Sequence, residues 1–96
     1  MSAGDWKDMF RAACVGDVDL VRHHLEHGVD PDFIHPEVQS TALVAAILER
    51  HEDVAHLLLD YGADTALMSP LEGQTPLLAA REMRLRTVED RLRDDA

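Results

Sequence analysis

The sequence predicts an all-α fold built as a helical repeat solenoid, and three observations predict it. Met9-Phe10-Arg11-Ala12-Ala13 returns as Leu43-Val44-Ala45-Ala46-Ile47 and again as Leu77-Leu78-Ala79-Ala80-Arg81, with Ala12, Ala46 and Ala80 spaced 34 residues apart. Leu25-Glu26-His27-Gly28-Val29-Asp30 returns as Leu59-Asp60-Tyr61-Gly62-Ala63-Asp64 at the same step. Composition adds the third, because 46% of residues are hydrophobic but only 4% aromatic, so a core must form from Leu, Val and Ala at helix interfaces. Self-similarity at this period marks stacked units that present a surface rather than enclose a pocket.

The elements follow from punctuation and period. In the first unit, Met9 to Ala13 takes the inner-helix position, and His23, His24 and His27 stand where the second unit has Leu57, Leu58 and Tyr61. In the second, Thr41 caps an inner helix from Ala42 to Leu48, and His51 to Asp53 turns the chain. The outer helix then carries Val54, Leu57, Leu58 and Tyr61, an apolar stripe at i, i+3, i+4 and i+7 that packs on the inner helix. Gly62 ends it in a left-handed conformation. In the third, Thr75 caps a helix with Pro76 at its first position, and Leu77, Leu78 and Ala80 form its buried side. Thr87 to Arg93 makes a polar outer helix, as a terminal cap requires. Two long connections, Val29 to Ser40 and Ala63 to Gln74, join the units.

Thr75-Pro76-Leu77, preceded by Gly73, and Leu57-Leu58-Leu59-Asp60-Tyr61-Gly62-Ala63-Asp64 resemble the helix start and the second-helix end of the ankyrin repeat. The resemblance covers nearly the whole chain and implies one domain over 1–96, with repeats over about 5–34 and 35–68 and a shortened closing unit over 69–96. Phe10, Val44 and Leu78 depart from the family's histidine, and Lys7 stands where Thr41 and Thr75 do. The resemblance also implies a protein–protein interaction module, adaptor or scaffold, that meets its partner on a concave face of inner helices and on the finger-like connections. Carried over by register, that face holds Cys14 with Val15, Leu48 with Glu49, and Glu82 with Met83, and Trp6, Ser40 and Gln74 come just before each helix. On the fingers, Phe33, Ile34 and Val38 flank His35 and Pro36, and Leu67, Met68 and Leu71 flank Pro70. The candidate partner contacts are therefore Trp6, Val15, Phe33, Ile34, Leu48, Glu49, Met68, Leu71, Glu82 and Met83.

Charge and chemistry narrow the function further. The net charge is −10, and all of it lies in residues 1–80, where fourteen acids face Lys7, Arg11, Arg22 and Arg50. Such a body repels phosphate backbones, so the expected partner is a protein with a basic surface and not nucleic acid. A second reading is an acidic inhibitor of the immunity type that caps a basic enzyme. No run approaches the ~20 apolar residues of a membrane span. Met1-Ser2-Ala3-Gly4-Asp5 lacks the basic start of a secretion signal, and Cys14 is the one cysteine, so a cytoplasmic address is expected. The histidines His23, His24 and His27 share a helical face but bring no spaced carboxylate or thiolate, and Ala55 interrupts what would be a zinc-protease motif at His51-Glu52. No metal or cofactor site, no phosphate loop and no nucleophile elbow is found, and the chain is read as a non-enzyme, monomeric or weakly dimeric.

Overall fold

In a computed structural model, residues 3–95 are described, and they form six α-helices with no strand among them. The helices are α1 (Ala3–Val15), α2 (Val18–Glu26), α3 (Ala42–Leu48), α4 (Glu52–Asp60), α5 (Pro76–Met83) and α6 (Arg86–Asp95). Inner helices α1, α3 and α5 pack side by side, and each carries its own outer helix, α2, α4 or α6. The result is a three-unit stack.

Capping explains where the helices begin. Thr41 and Thr75 are extended, and their hydroxyls accept the N–H of Val44 at 3.2 Å and of Leu78 at 3.3 Å. Asp17 does the same for Leu20 at 3.2 Å. His51 precedes α4 without a side-chain cap bond, because its ring reaches across to donate from Nε2 to the Cys14 carbonyl at 3.1 Å. Glu52 and Asp53 in the first turn of α4 compensate by facing the positive end of its dipole. Gly28 and Gly62, at φ of 89° and 86°, carry the chain out of α2 and α4 in the left-handed region. The connections that follow are pinned to each other: Asp64 N–H donates to Asp32 Oδ1 at 2.8 Å, and Leu71 N–H to the Gln39 carbonyl at 2.7 Å.

The core runs through all three units and is mainly aliphatic, with Ile47, Leu58, Val44, Val54 and Val88 fully buried, and Trp6 and Met9 join it in the first unit. Each such side chain contributes about 1.5–3 kcal/mol by leaving water. Two stripe positions differ from the sequence reading. Tyr61 is exposed at the C-cap of α4, where the helix has already turned its apolar face away. Leu78 is 51% exposed although its register equivalent Val44 is buried; α3 is packed between α1 and α5, whereas no further inner helix among the described residues packs on α5.

The third unit carries charge where the second is apolar. Arg81, Glu89 and Arg93 hold the register positions of Ile47, Ala55 and Leu59, all buried. Here they pair instead, Arg93 to Glu89 at 2.7 Å and Arg81 to Glu89 at 3.4 Å. The third unit therefore shows a charged cluster at positions that are apolar and buried in the second. On the opposite side of α6, Arg91 ties it to α4 by donating to Asp60 at 2.6 Å and to the His56 carbonyl at 3.1 Å.

Candidate functional site

The C-terminal ends of the inner helices and the adjoining connections make one continuous surface. Burial raises the Cys14 thiol above its usual range, and the Glu49 and Glu72 carboxylates raise it further. Those two acids from different units therefore overlook the same thiol. Next to Cys14 lies a shallow hollow of about 370 Å³ lined by Lys7, Phe10, Arg11, Cys14 and Val38. Farther along, the side chain of Arg50 donates to the Met83 carbonyl at 2.9 Å, and Gln74 Nε2 donates to Glu82 at 2.6 Å. The surface thus alternates half-buried apolar groups, Cys14, Leu48 and Met83, with exposed Glu49 and Glu82.

Glu72 is the best fixed of these acids. The Ser40 hydroxyl meets its carboxylate at 2.9 and 3.2 Å, the Ser69 hydroxyl donates to it, and Ser69 Oγ accepts the Thr41 N–H at 2.9 Å. Ser40, Thr41 and Ser69 are buried. The network locks the second finger to the start of α3. Sequence reasoning missed Glu72, because the pairing depends on how one finger folds over the other and follows no repeat register.

The candidate contacts fall into several groups. Leu48, Glu49, Glu82 and Met83 lie on the surface just described, and Met68 and Leu71 are exposed on the second finger. Trp6 must be corrected: it is 0% exposed and cannot touch a partner. Its ring stacks on Phe10 at 5.0 Å and on His35 at 6.0 Å, and meets Phe33 edge-on at 5.8 Å. The same cluster draws Phe33 inward, and Phe33 and Ile34 are half-buried instead of projecting. Val15 is exposed, but it lines a separate hollow with Asp8, Ala12, Asp17 and Leu20 on the outer side of the first unit. Its register equivalents Glu49 and Met83 stand in units that have a preceding unit packed beside them, whereas no described unit packs beside Val15 on that side.

The histidines at stripe positions adapt α2 to solvent. His24 is half-buried where Leu58 is fully buried, and His23 and His27 are exposed with ring centroids 4.3 Å apart. Among the described residues no three His, Cys, Asp or Glu side chains group as a metal site would need. No described helix is long and apolar enough to cross a membrane.

The raised thiol has a measurable consequence. The thiolate is the reactive form, so Cys14 will alkylate more slowly with iodoacetamide at pH 8 than the same residue in the urea-unfolded chain. Glu49→Gln removes one of the two charges and should speed the folded-state reaction a few-fold; an unchanged rate would place Glu49 away from the thiol.

The model of the family described as ankyrin repeats (3 copies) matches residues 9–89. The ankyrin repeat protein FPV222 of Fowlpox virus (strain NVSL) is 32% identical over 80 residues, which are 78% of this chain and 11% of that protein. The 2-5A-dependent ribonuclease of Homo sapiens is 41% identical over 64 residues, 67% of this chain and 8% of the enzyme. The chain thus spans about a tenth of the length of these curated relatives.

Proposed function

We propose, starting from the fact that this chain belongs to the ankyrin repeat family, that it is an adaptor or scaffold that receives a basic protein segment on its inner-helix surface. Ankyrin repeats are protein–protein interaction modules in general, and the finer reading rests on one observation. Glu49 and Glu72 bear on the same strip as Cys14, Leu48 and Met83, so apolar contact and negative charge coincide there. A Lys- or Arg-rich segment with an apolar anchor matches both. Met68 and Leu71 on the second finger extend the contact, and the cytoplasm suits a chain whose lone thiol has no partner for a disulfide. The chain itself carries out no catalysis in this reading.

A panel of basic and acidic amphipathic peptides, titrated against the labelled chain and followed by amide shifts, tests the proposal. Basic peptides should shift Cys14, Leu48, Glu49, Glu82 and Met83, and Leu48→Ala should weaken binding about tenfold. Shifts confined to α2 and α6, or a preference for the acidic peptides, would reject it.

A further inference from the structure

We propose that copies of this chain stack head to tail, the outer side of α1 and α2 in one copy seating on α5 and α6 of the next, in the geometry that already joins the units within the chain. This goes beyond partner binding on the inner-helix surface and uses different residues.

The first observation is Arg50. It sits in the left-handed region at φ 65°, between α3 and α4, and its guanidinium crosses to the last turn of α5 to hold the Met83 carbonyl at 2.9 Å. Arg84, 34 residues on, repeats both the residue and the conformation, at φ 57°. A left-handed Arg is strained relative to Gly, so its recurrence at this register singles out the side chain. Among the described residues Arg84 has no following inner helix to clamp. By register the carbonyl it would take is that of Val15, the counterpart of Met83 at the last turn of α1. Val15 is 69% exposed.

Apolar surface is left open at both ends of the stack in matching places. Leu78 on α5 occupies the position of Val44, which is fully buried on α3, the helix packed between α1 and α5. On the other end, Ala12, Val15 and Leu20 line a hollow of about 290 Å³. Leu20, 40% exposed, is the counterpart of Val54, which is fully buried in the middle unit. Setting α1 of a second copy on α5 as α5 is set on α3 places Leu78 over that hollow.

Charge fits the same arrangement. The hollow is rimmed by Asp8 and Asp17 with Arg11, two acids to one base. The facing end is balanced, with Arg81, Arg84, Arg86, Arg91 and Arg93 against Glu82, Glu89, Asp90, Asp94 and Asp95, and it places the Arg81, Glu89 and Arg93 cluster on its surface. Two acidic α1 and α2 ends brought together would repel, whereas the acidic end meets no net charge of its own sign on α5 and α6. The contact is heterologous and unclosed, so assembly grows by addition.

Sedimentation equilibrium of the purified chain across a wide concentration range tests this. Its weight-average mass should rise continuously past twice the 10.7 kDa chain without a plateau. Val15→Glu and Leu78→Glu, both at exposed positions and checked for folding by circular dichroism, should each lower the association constant at least about tenfold. Mixed in equal amounts they should form a one-to-one dimer and stop there, since each supplies the end the other lacks. A wild type that stays monomeric to the solubility limit overturns the proposal. So does a plateau at the dimer that only Val15→Glu abolishes, which would describe a two-fold pair through the α1 and α2 face, or a mixture that remains monomeric.

Discussion

Gly16→Ala is expected to destabilise the chain by about 3 kcal/mol, a large part of the ~5–10 kcal/mol available to a domain of this size. Gly16 has φ 80°, and a side chain in that region costs about 1–2 kcal/mol, of which the reduced freedom of the unfolded alanine chain returns ~0.4–1 kcal/mol. The remainder comes from His51. A Cβ on Gly16 would lie 2.6 Å from His51 Nδ1 and 2.7 Å from Cε1. The ring must move, and its hydrogen bond to the Cys14 carbonyl is lost with it. Urea unfolding of a double-mutant cycle separates the two contributions. In a His51→Ala background Gly16→Ala should cost only about 1 kcal/mol, because the backbone strain persists while the clash is gone. An equal cost in both backgrounds would show that the imidazole is not what Gly16 makes room for.

Ser69→Val is expected to cost about 3 kcal/mol as well, by a different route. A serine hydroxyl has one proton and two lone pairs; here the proton goes to Glu72 and a lone pair takes the Thr41 N–H. Valine, which has the shape of threonine, removes both bonds, and a buried N–H left unpaired costs about 1–3 kcal/mol, a lost bond to a charged group about as much again. Thr41 is 3% exposed, so water cannot easily replace the partner. Ser69→Thr keeps the hydroxyl and should cost under about 1 kcal/mol if the extra methyl is tolerated. Denaturant midpoints decide between bonding and crowding: equal losses for the threonine and valine variants would mean that the site is limited by space alone.

Much of the fold was legible because repeats write the same instruction several times. Thr41 and Thr75 announce helix starts, the recurring Ala pairs mark where inner helices touch, and the polar run after Thr87 marks the closing helix. Tyr61 and Leu78 were misread for different reasons: Tyr61 sits at the C-cap of α4, past its apolar face, and Leu78 is covered by no inner helix among the described residues. A stripe position is buried only while a neighbour covers it, and the sequence of one helix does not say whether the next is there.

The surface was harder to read. Trp6, placed by register just ahead of the first inner helix, instead gathers Phe10, Phe33 and His35 into a small aromatic cluster. The second unit has no aromatic residues at the matching places, so comparison between units gave no warning. Val15 opens onto the side of the first unit where no described unit packs, and register could not show this because its equivalents Glu49 and Met83 both have a preceding unit beside them. Glu72 and the Arg50 clamp join groups 32 and 33 residues apart through loop conformation. Such pairs obey the shape of the stack and not any local pattern.

The aromatic cluster also gives the molecule an internal optical probe. Trp6 is the sole tryptophan, and every ring beside it belongs to the first unit or to the finger that leaves it. Its fluorescence therefore reports the loosening of one end of the array, while far-ultraviolet dichroism averages over all the helices. In a quasi-one-dimensional architecture the ends can melt separately from the middle. Where the two signals part company during unfolding, the chain is coming undone unit by unit; where they coincide, the hydrogen bonds that cross between units are enough to make ninety-six residues behave as one cooperative body.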